Sequence, residues 1–234
     1  MNEPEDALEV SHLSVQFGDM HVLTDVSFHV PSGTTLAIIG PNGSGKTVLF
    51  KAIIGAIPHS GDVRWRPDVR IGYVPQKLDL ERDLPITGAD LLRARAALAH
   101  GDVAGIPRAL SLVGVSSEAA NQPIGSLSGG QFQRLLVAFA LAGKPNVLLL
   151  DEPMAGVDEV GQEQLTELVR RLQAEHGLTV LFISHELNVV YRDATNVLCL
   201  GRGPACIGPP QTMLTPERLR EMYGAPIHYH VHDH

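Results

Sequence analysis

The sequence predicts an α/β fold with a small antiparallel β part and an inserted helical part. Three observations carry this reading. Short apolar runs at 35–39, 146–150 and 179–183 have the length and composition of buried strands. The first of them leads through a glycine-rich turn into a helix stopped by Gly55. From about Lys77 to Gly143 the pattern turns helical, which interrupts an otherwise alternating α/β chain.

Taken in order, Leu8–Phe17 and Val22–Val30 are rich in β-branched residues with rough alternation and read as strands. The runs 61–65 and 69–74 read as two more, and the four together are expected to form a largely antiparallel layer. Thr35–Ile39 is the buried strand that enters Gly40-Pro41-Asn42-Gly43-Ser44-Gly45-Lys46-Thr47, which fits G-x-x-x-x-G-K-[ST]. Strand, glycine loop and helix is the order a phosphate-binding loop requires. The glycines turn backbone N–H groups toward phosphate oxygens, and the helix after them directs its positive end there. Lys46 is then expected at the β- and γ-phosphates and the Thr47 hydroxyl on Mg²⁺.

Beyond Gln76, Thr87 and Asp90 have capping-box spacing, and Leu91, Leu92 and Leu98 suit a helix to about His100. A short helix is expected from Pro107 to Gly114. Ser128 and Gln131 cap a third, whose Phe132, Leu135, Leu136 and Phe139 recur at i, i+3, i+4 and i+7 as one buried face. The strand at 146–150 ends in Asp151-Glu152, two carboxylates at the strand edge where open parallel sheets bind ligands. A helix over 160–175 carries Leu165, Leu168, Val169 and Leu172, with a Glu167–Arg171 pair on its exposed side. Strands at 179–183 and 195–200 follow, and Thr215-Pro216 starts a last helix.

Composition limits the rest. With 26 acidic and 18 basic residues, the balance opposes a nucleic-acid-binding surface. Cys199 and Cys206 have no zinc-finger spacing and read as reduced, mostly buried thiols. The acidic start lacks the apolar region of a secretory signal. The longest apolar stretch, 135–142, is too short to span a bilayer. A soluble cytoplasmic protein is expected, which reaches a membrane by docking on another chain.

Phe17, the loop at Gly40–Thr47, Gln76, Leu127-Ser128-Gly129-Gly130-Gln131, Asp151-Glu152, Asp158 and His185 occur in a fixed order. In that order the whole chain resembles the ATP-binding subunit of an ABC transporter, whose signature Leu-Ser-Gly-Gly-Gln is complete. The resemblance implies a P-loop NTPase (RecA-like) core with an antiparallel β subdomain and an inserted α-helical subdomain. It implies one domain over 1–224, with the insertion at about 77–143, and a histidine-rich tail at 225–234. It also implies ATP and Mg²⁺, with Asp151 and Gln76 joining Thr47 at the metal. Glu152 is then the general base, His185 contacts the γ-phosphate and Phe17 is the adenine platform. Ser128, Gly129, Gly130 and Gln131 would act in trans on the nucleotide of a second copy, giving a head-to-tail homodimer. Asp158 would link the two sites, although Ala155-Gly156-Val157-Asp158 departs from the commoner Ser-Ala-Leu-Asp.

Several stretches resemble zinc- or manganese-uptake ATPases, among them 71–77, 84–87 and 197–200. That resemblance implies a peripheral subunit at the cytoplasmic face, integral membrane permease subunits, an extracytoplasmic metal-binding protein and no nucleic acid. A groove for a permease helix is expected at about 77–87. The alternatives are uptake of another solute such as an iron complex, a soluble ABC ATPase unconnected with transport, or a metal buffer. His228, His230, His232 and His234 alternate, so an extended tail would place all four on one side as a candidate Zn²⁺ site.

Overall fold

The computed structural model describes residues 5–76, 85–98, 105–201 and 203–224. The histidines at 228, 230, 232 and 234 lie outside the described residues, as do His100 and most of the expected permease groove, 77–84. Among the described residues nine strands run in chain order: β1 Asp6–Phe17, β2 Met20–Pro31, β3 Thr35–Ile39, β4 Ser60–Trp65, β5 Ile71–Val74, β6 Val147–Asp151, β7 Thr179–Ile183, β8 Asn196–Cys199 and β9 Cys206–Gly208. The helices are α1 Lys46–Ile53, α2 Gly88–Leu98, α3 Ile106–Leu112, α4 Ser117–Ala120, α5 Gly129–Leu141, α6 Glu159–His176, α7 Leu187–Asp193, α8 Pro210–Met213 and α9 Pro216–Tyr223. They divide into two units, Met1–Val69 with Thr179–His234, and Arg70–Leu178.

In the first unit, β3 is flanked on both sides by parallel neighbours, β7 and β8, and β9 closes the β8 side antiparallel. Every residue of β3 and β7 is buried, as expected of parallel strands covered on both faces. A separate antiparallel layer in the order β2-β1-β4 has one face in the core, with Leu8, Val10, Leu13 and Val15 buried. Cys199 and Cys206 are opposed across β8 and β9, and both are free thiols.

In the second unit β5 runs parallel to β6, with Ile71 opposite Val147 and Val74 opposite Leu150. This corrects the expectation that 69–74 joins the antiparallel layer. The cause lies in the residues just before the strand. The Asn146 side chain accepts from the Arg70 amide, and the Arg70 carbonyl takes the amides of Asn146 and Val147. Those bonds set β5 beside β6, and helix α5 packs on it.

The helices also depart in detail. The box at Thr87 forms as expected: the Asp90 carboxylate accepts from the Thr87 amide and hydroxyl. Those bonds, with Arg93 near by, hold Asp90 below the usual carboxylate range. On α5, Leu135 and Leu136 are buried, but Phe132 and Phe139 are only half-buried while Gln133 is buried. This helix meets β5, α2, α3 and α6, so its buried surface is wider than one stripe. On α6, Glu167 pairs with Arg170 rather than Arg171, whose guanidinium donates to the carbonyl of Leu112. Strand β9 and helices α4, α7 and α8 are short elements beyond those read from the sequence.

Candidate functional site

In the first unit, β3 delivers the chain into the glycine loop and α1 leaves it. Lys46 opens α1 and is buried, 6 % exposed. Its ammonium donates to the carbonyls of Gly40 (2.9 Å) and Pro41 (3.0 Å), which satisfies the buried charge and centres it on the loop. A methyl group at Gly40 would collide with the backbone carbonyl of Leu200 just past β8 and lie 2.7 Å from Ser44 Oγ. Only glycine lets the strand and the loop close so tightly. Ser44 Oγ is buried and has no hydrogen-bond partner among the described residues. A hydroxyl and an ammonium at the head of a helix are a donor set that suits phosphate oxygens. Tyr223, the last residue of α9, reaches the backbone of Gly40, and burial pushes its phenol above its ordinary pKa.

Two other predicted residues sit in this unit. Phe17 ends β1 opposite Met20, and both are exposed apolar side chains, at 47 % and 62 %. Exposed aromatic surface at a hairpin end is what a stacking platform requires. His185 follows β7, exposed, just before α7.

In the second unit, the parallel pair β5 and β6 carries Gln76 and Asp151-Glu152. Asp151, the last residue of β6, is 1 % exposed. Its Oδ2 accepts from the hydroxyl of Tyr73 at 3.2 Å. Burial and the neighbouring carboxylate raise the Tyr73 pKa, so the phenol stays a donor. Glu152 has φ 47°, in the left-handed region that costs a non-glycine residue about 1 kcal/mol or more. That backbone turns Glu152 away from the line of the strand, and its Oε2 accepts from Gln76 Nε2. Two adjacent carboxylates thus receive two separate donors from one strand and its exit. Sequence reasoning found Gln76 and missed Tyr73, whose only local sign is the alternation of β5.

The signature lies at the head of α5. Ser128 Oγ accepts from the Gln131 amide (3.2 Å), and Gln131 Oε1 accepts from the Ser128 amide (3.0 Å). The capping box read from the sequence is therefore present. A methyl group at Gly129 would sit 2.7 Å from the carbonyl of Gly156, so the helix start approaches the 155–158 turn closely. Gly130 has only an ordinary contact, 3.7 Å to Val157. Asp158 closes that turn by accepting from the Gly161 amide at 3.2 Å, which caps α6.

Among the described residues no group of three or more His, Cys, Asp or Glu forms a metal cluster, and no helix is long and apolar enough to cross a membrane. The ABC transporter family pattern matches residues 23–155. Zinc import ATP-binding protein ZnuC of Pseudomonas putida is 40 % identical, covering 98 % of this chain and 90 % of the relative. Its counterpart in Cereibacter sphaeroides is also 40 % identical, over 91 % of this chain and 86 % of its own. Among solved structures, a metal-chelate type ABC transporter in an inward-facing conformation matches with TM-score 0.86 at 26 % identity, covering 95 % of this chain and 90 % of that one. A dimeric bacterial ABC transporter cassette matches with TM-score 0.74 at 23 % identity, over 87 % and 98 %, a likeness of fold.

Proposed function

Because this chain belongs to the ABC transporter family, we propose that it is the ATP-hydrolysing subunit of an importer for a divalent transition metal, zinc or manganese. It works as a peripheral subunit at the cytoplasmic face, beneath a separate membrane permease. An extracytoplasmic metal-binding protein supplies that permease, and nucleic acid has no part. Residues 1–224 form one nucleotide-binding domain, with the helices between about 77 and 143 as an insertion.

Gly40–Thr47 cradles the triphosphate. The unpartnered Ser44 Oγ and the Lys46 ammonium support this, because phosphate oxygens accept from both. Thr47, Asp151 and Gln76 would hold Mg²⁺, which when bound neutralises charge on the phosphate oxygens. Glu152 takes the proton of the attacking water, and Gln76 holds its carboxylate in place. His185 meets the γ-phosphate and Phe17 stacks on the adenine. Ser128, Gly129, Gly130 and Gln131 act in trans across a head-to-tail homodimer, with Asp158 at the link between sites.

The observation that carries hydrolysis is the separation of the two carboxylates: Asp151 buried under Tyr73, Glu152 turned out to Gln76. Zinc rests on the relatives named for zinc import. The metal-chelate neighbour favours a second reading, uptake of a metal complex. The test is the chain assembled with its permease in vesicles. Glu152→Gln is expected to keep ATP bound, nearly abolish turnover and trap an ATP-bound dimer, whereas Lys46→Ala weakens nucleotide binding itself. Wild-type turnover by Glu152→Gln defeats the catalytic assignment. Growth of a deletion strain in limiting zinc, manganese or iron complex separates the substrates, and normal growth in limiting zinc and manganese defeats the metal reading.

A further inference from the structure

We propose that Tyr73 is a positioning residue for Asp151: its hydroxyl fixes the carboxylate in the orientation that receives the nucleotide-bound metal ion. The inference rests on the reading of Asp151 as a metal ligand. Tyr73 lies opposite Leu149 in the parallel register of β5 and β6. Alternate residues of a strand share a face, so Leu149 and Asp151 project to the same side. Two residues span about 6.6 Å of strand. A tyrosine leaning forward along its strand covers that distance, and the hydroxyl meets Asp151 Oδ2 at 3.2 Å.

The chemistry suits the task. Asp151 is buried at the end of an apolar strand, where a carboxylate needs a hydrogen-bond donor. A phenol supplies one and leaves the full negative charge in place. A bond to one oxygen also restricts rotation of the carboxylate, which sets the direction the other oxygen faces. Groups that orient a metal ligand in this way typically change metal affinity or activity by about 10–100-fold when removed. Phenylalanine keeps the ring and its packing and removes only the donor.

The experiment uses the full chain with a non-hydrolysable ATP analogue and Mn²⁺ as the probe, titrated by electron paramagnetic resonance. Tyr73→Phe is expected to weaken Mn²⁺ binding about tenfold. Metal-free nucleotide binding, measured in EDTA, and the urea unfolding midpoint should stay near wild type. In the Asp151→Asn background the same substitution should have little further effect. Unchanged Mn²⁺ affinity in Tyr73→Phe overturns the proposal, as does an equal loss with and without Asp151. If Tyr73→Phe unfolds, full metal affinity in a folded Tyr73→Leu chain overturns it. The underlying reading fails separately, through wild-type Mn²⁺ affinity in Asp151→Asn alone.

Discussion

Adjacent signature glycines should respond oppositely to alanine. At Gly129 the new methyl would lie 2.7 Å from the Gly156 carbonyl, a backbone atom that cannot swing aside. Overpacking of this kind costs about 1–3 kcal/mol. At Gly130 the methyl meets only Val157 at 3.7 Å, an ordinary contact. There alanine instead gains about 0.4–1 kcal/mol by restricting the unfolded chain. The two variants should therefore differ by about 3 kcal/mol, or roughly 6–12 °C in unfolding temperature for a chain of this size. Calorimetry checks the stability arm, and hydrogen exchange at 154–158 should report a loosened turn in Gly129→Ala alone. ATP turnover in the assembled transporter checks the other arm. Gly130→Ala should lose most turnover although it folds at least as well as wild type, because the methyl intrudes where the backbone is to meet phosphate. Equal destabilisation by both substitutions would refute the close-approach argument. Full turnover by Gly130→Ala would refute the anion site.

Two further outcomes concern the cysteines and the tail. Burial and then the neighbouring Cys206 push the Cys199 thiol up to about 12 from an ordinary 9.0, so the folded chain binds the extra proton between those values. Stability is then full below about pH 9 and falls as pH rises toward 12; a urea midpoint in Cys199→Ala that falls as steeply as wild type over that window would contradict this. Isothermal calorimetry of the full chain against a chain ending at Ala225 should show zinc binding only in the former, weakening as pH drops through about 6.5. Equal binding by both would remove the tail histidines from any metal role.

The buried parallel strands were the most legible part of the chain. Thr35–Ile39 and Thr179–Ile183 match to the residue because a strand covered on both faces reads as a near-continuous apolar run, here broken only by the leading threonine of each. The caps at Ser128 and Thr215 were equally readable, since a cap joins residues three apart and needs no tertiary contact. Pairing was not local. The partner of 71–74 lies more than seventy residues on, and the Asn146 side chain that fixes it says nothing in the sequence about Arg70. Arg171 illustrates the same limit: helical spacing offers it Glu167, and the nearby end of α3 offers it a carbonyl instead.

The candidate site divides along that line. Asp151 and Glu152 could be read from the sequence because an acidic pair ending an apolar run is a local pattern. How they come to meet different donors could not, because it depends on a backbone turn and on two side chains from another strand and its exit. Alternation alone would send neighbouring residues to opposite faces. The left-handed turn at Glu152 goes further and takes the second carboxylate off the strand, within reach of Gln76. Backbone strain at a functional position persists only where the surroundings hold it. Here the Ala155 amide returns to the Glu152 carbonyl at 3.1 Å and closes the turn. The donors are also chemically matched to the tasks proposed for the two carboxylates. A phenol and a primary amide orient carboxylates without cancelling their charge, whereas a lysine or arginine in either place would compete with a cation or lower the basicity needed to take a proton. The phenol of Tyr73 and the amide of Gln76 therefore leave the charge on Asp151 and Glu152 in place for the cation binding and proton transfer proposed for them.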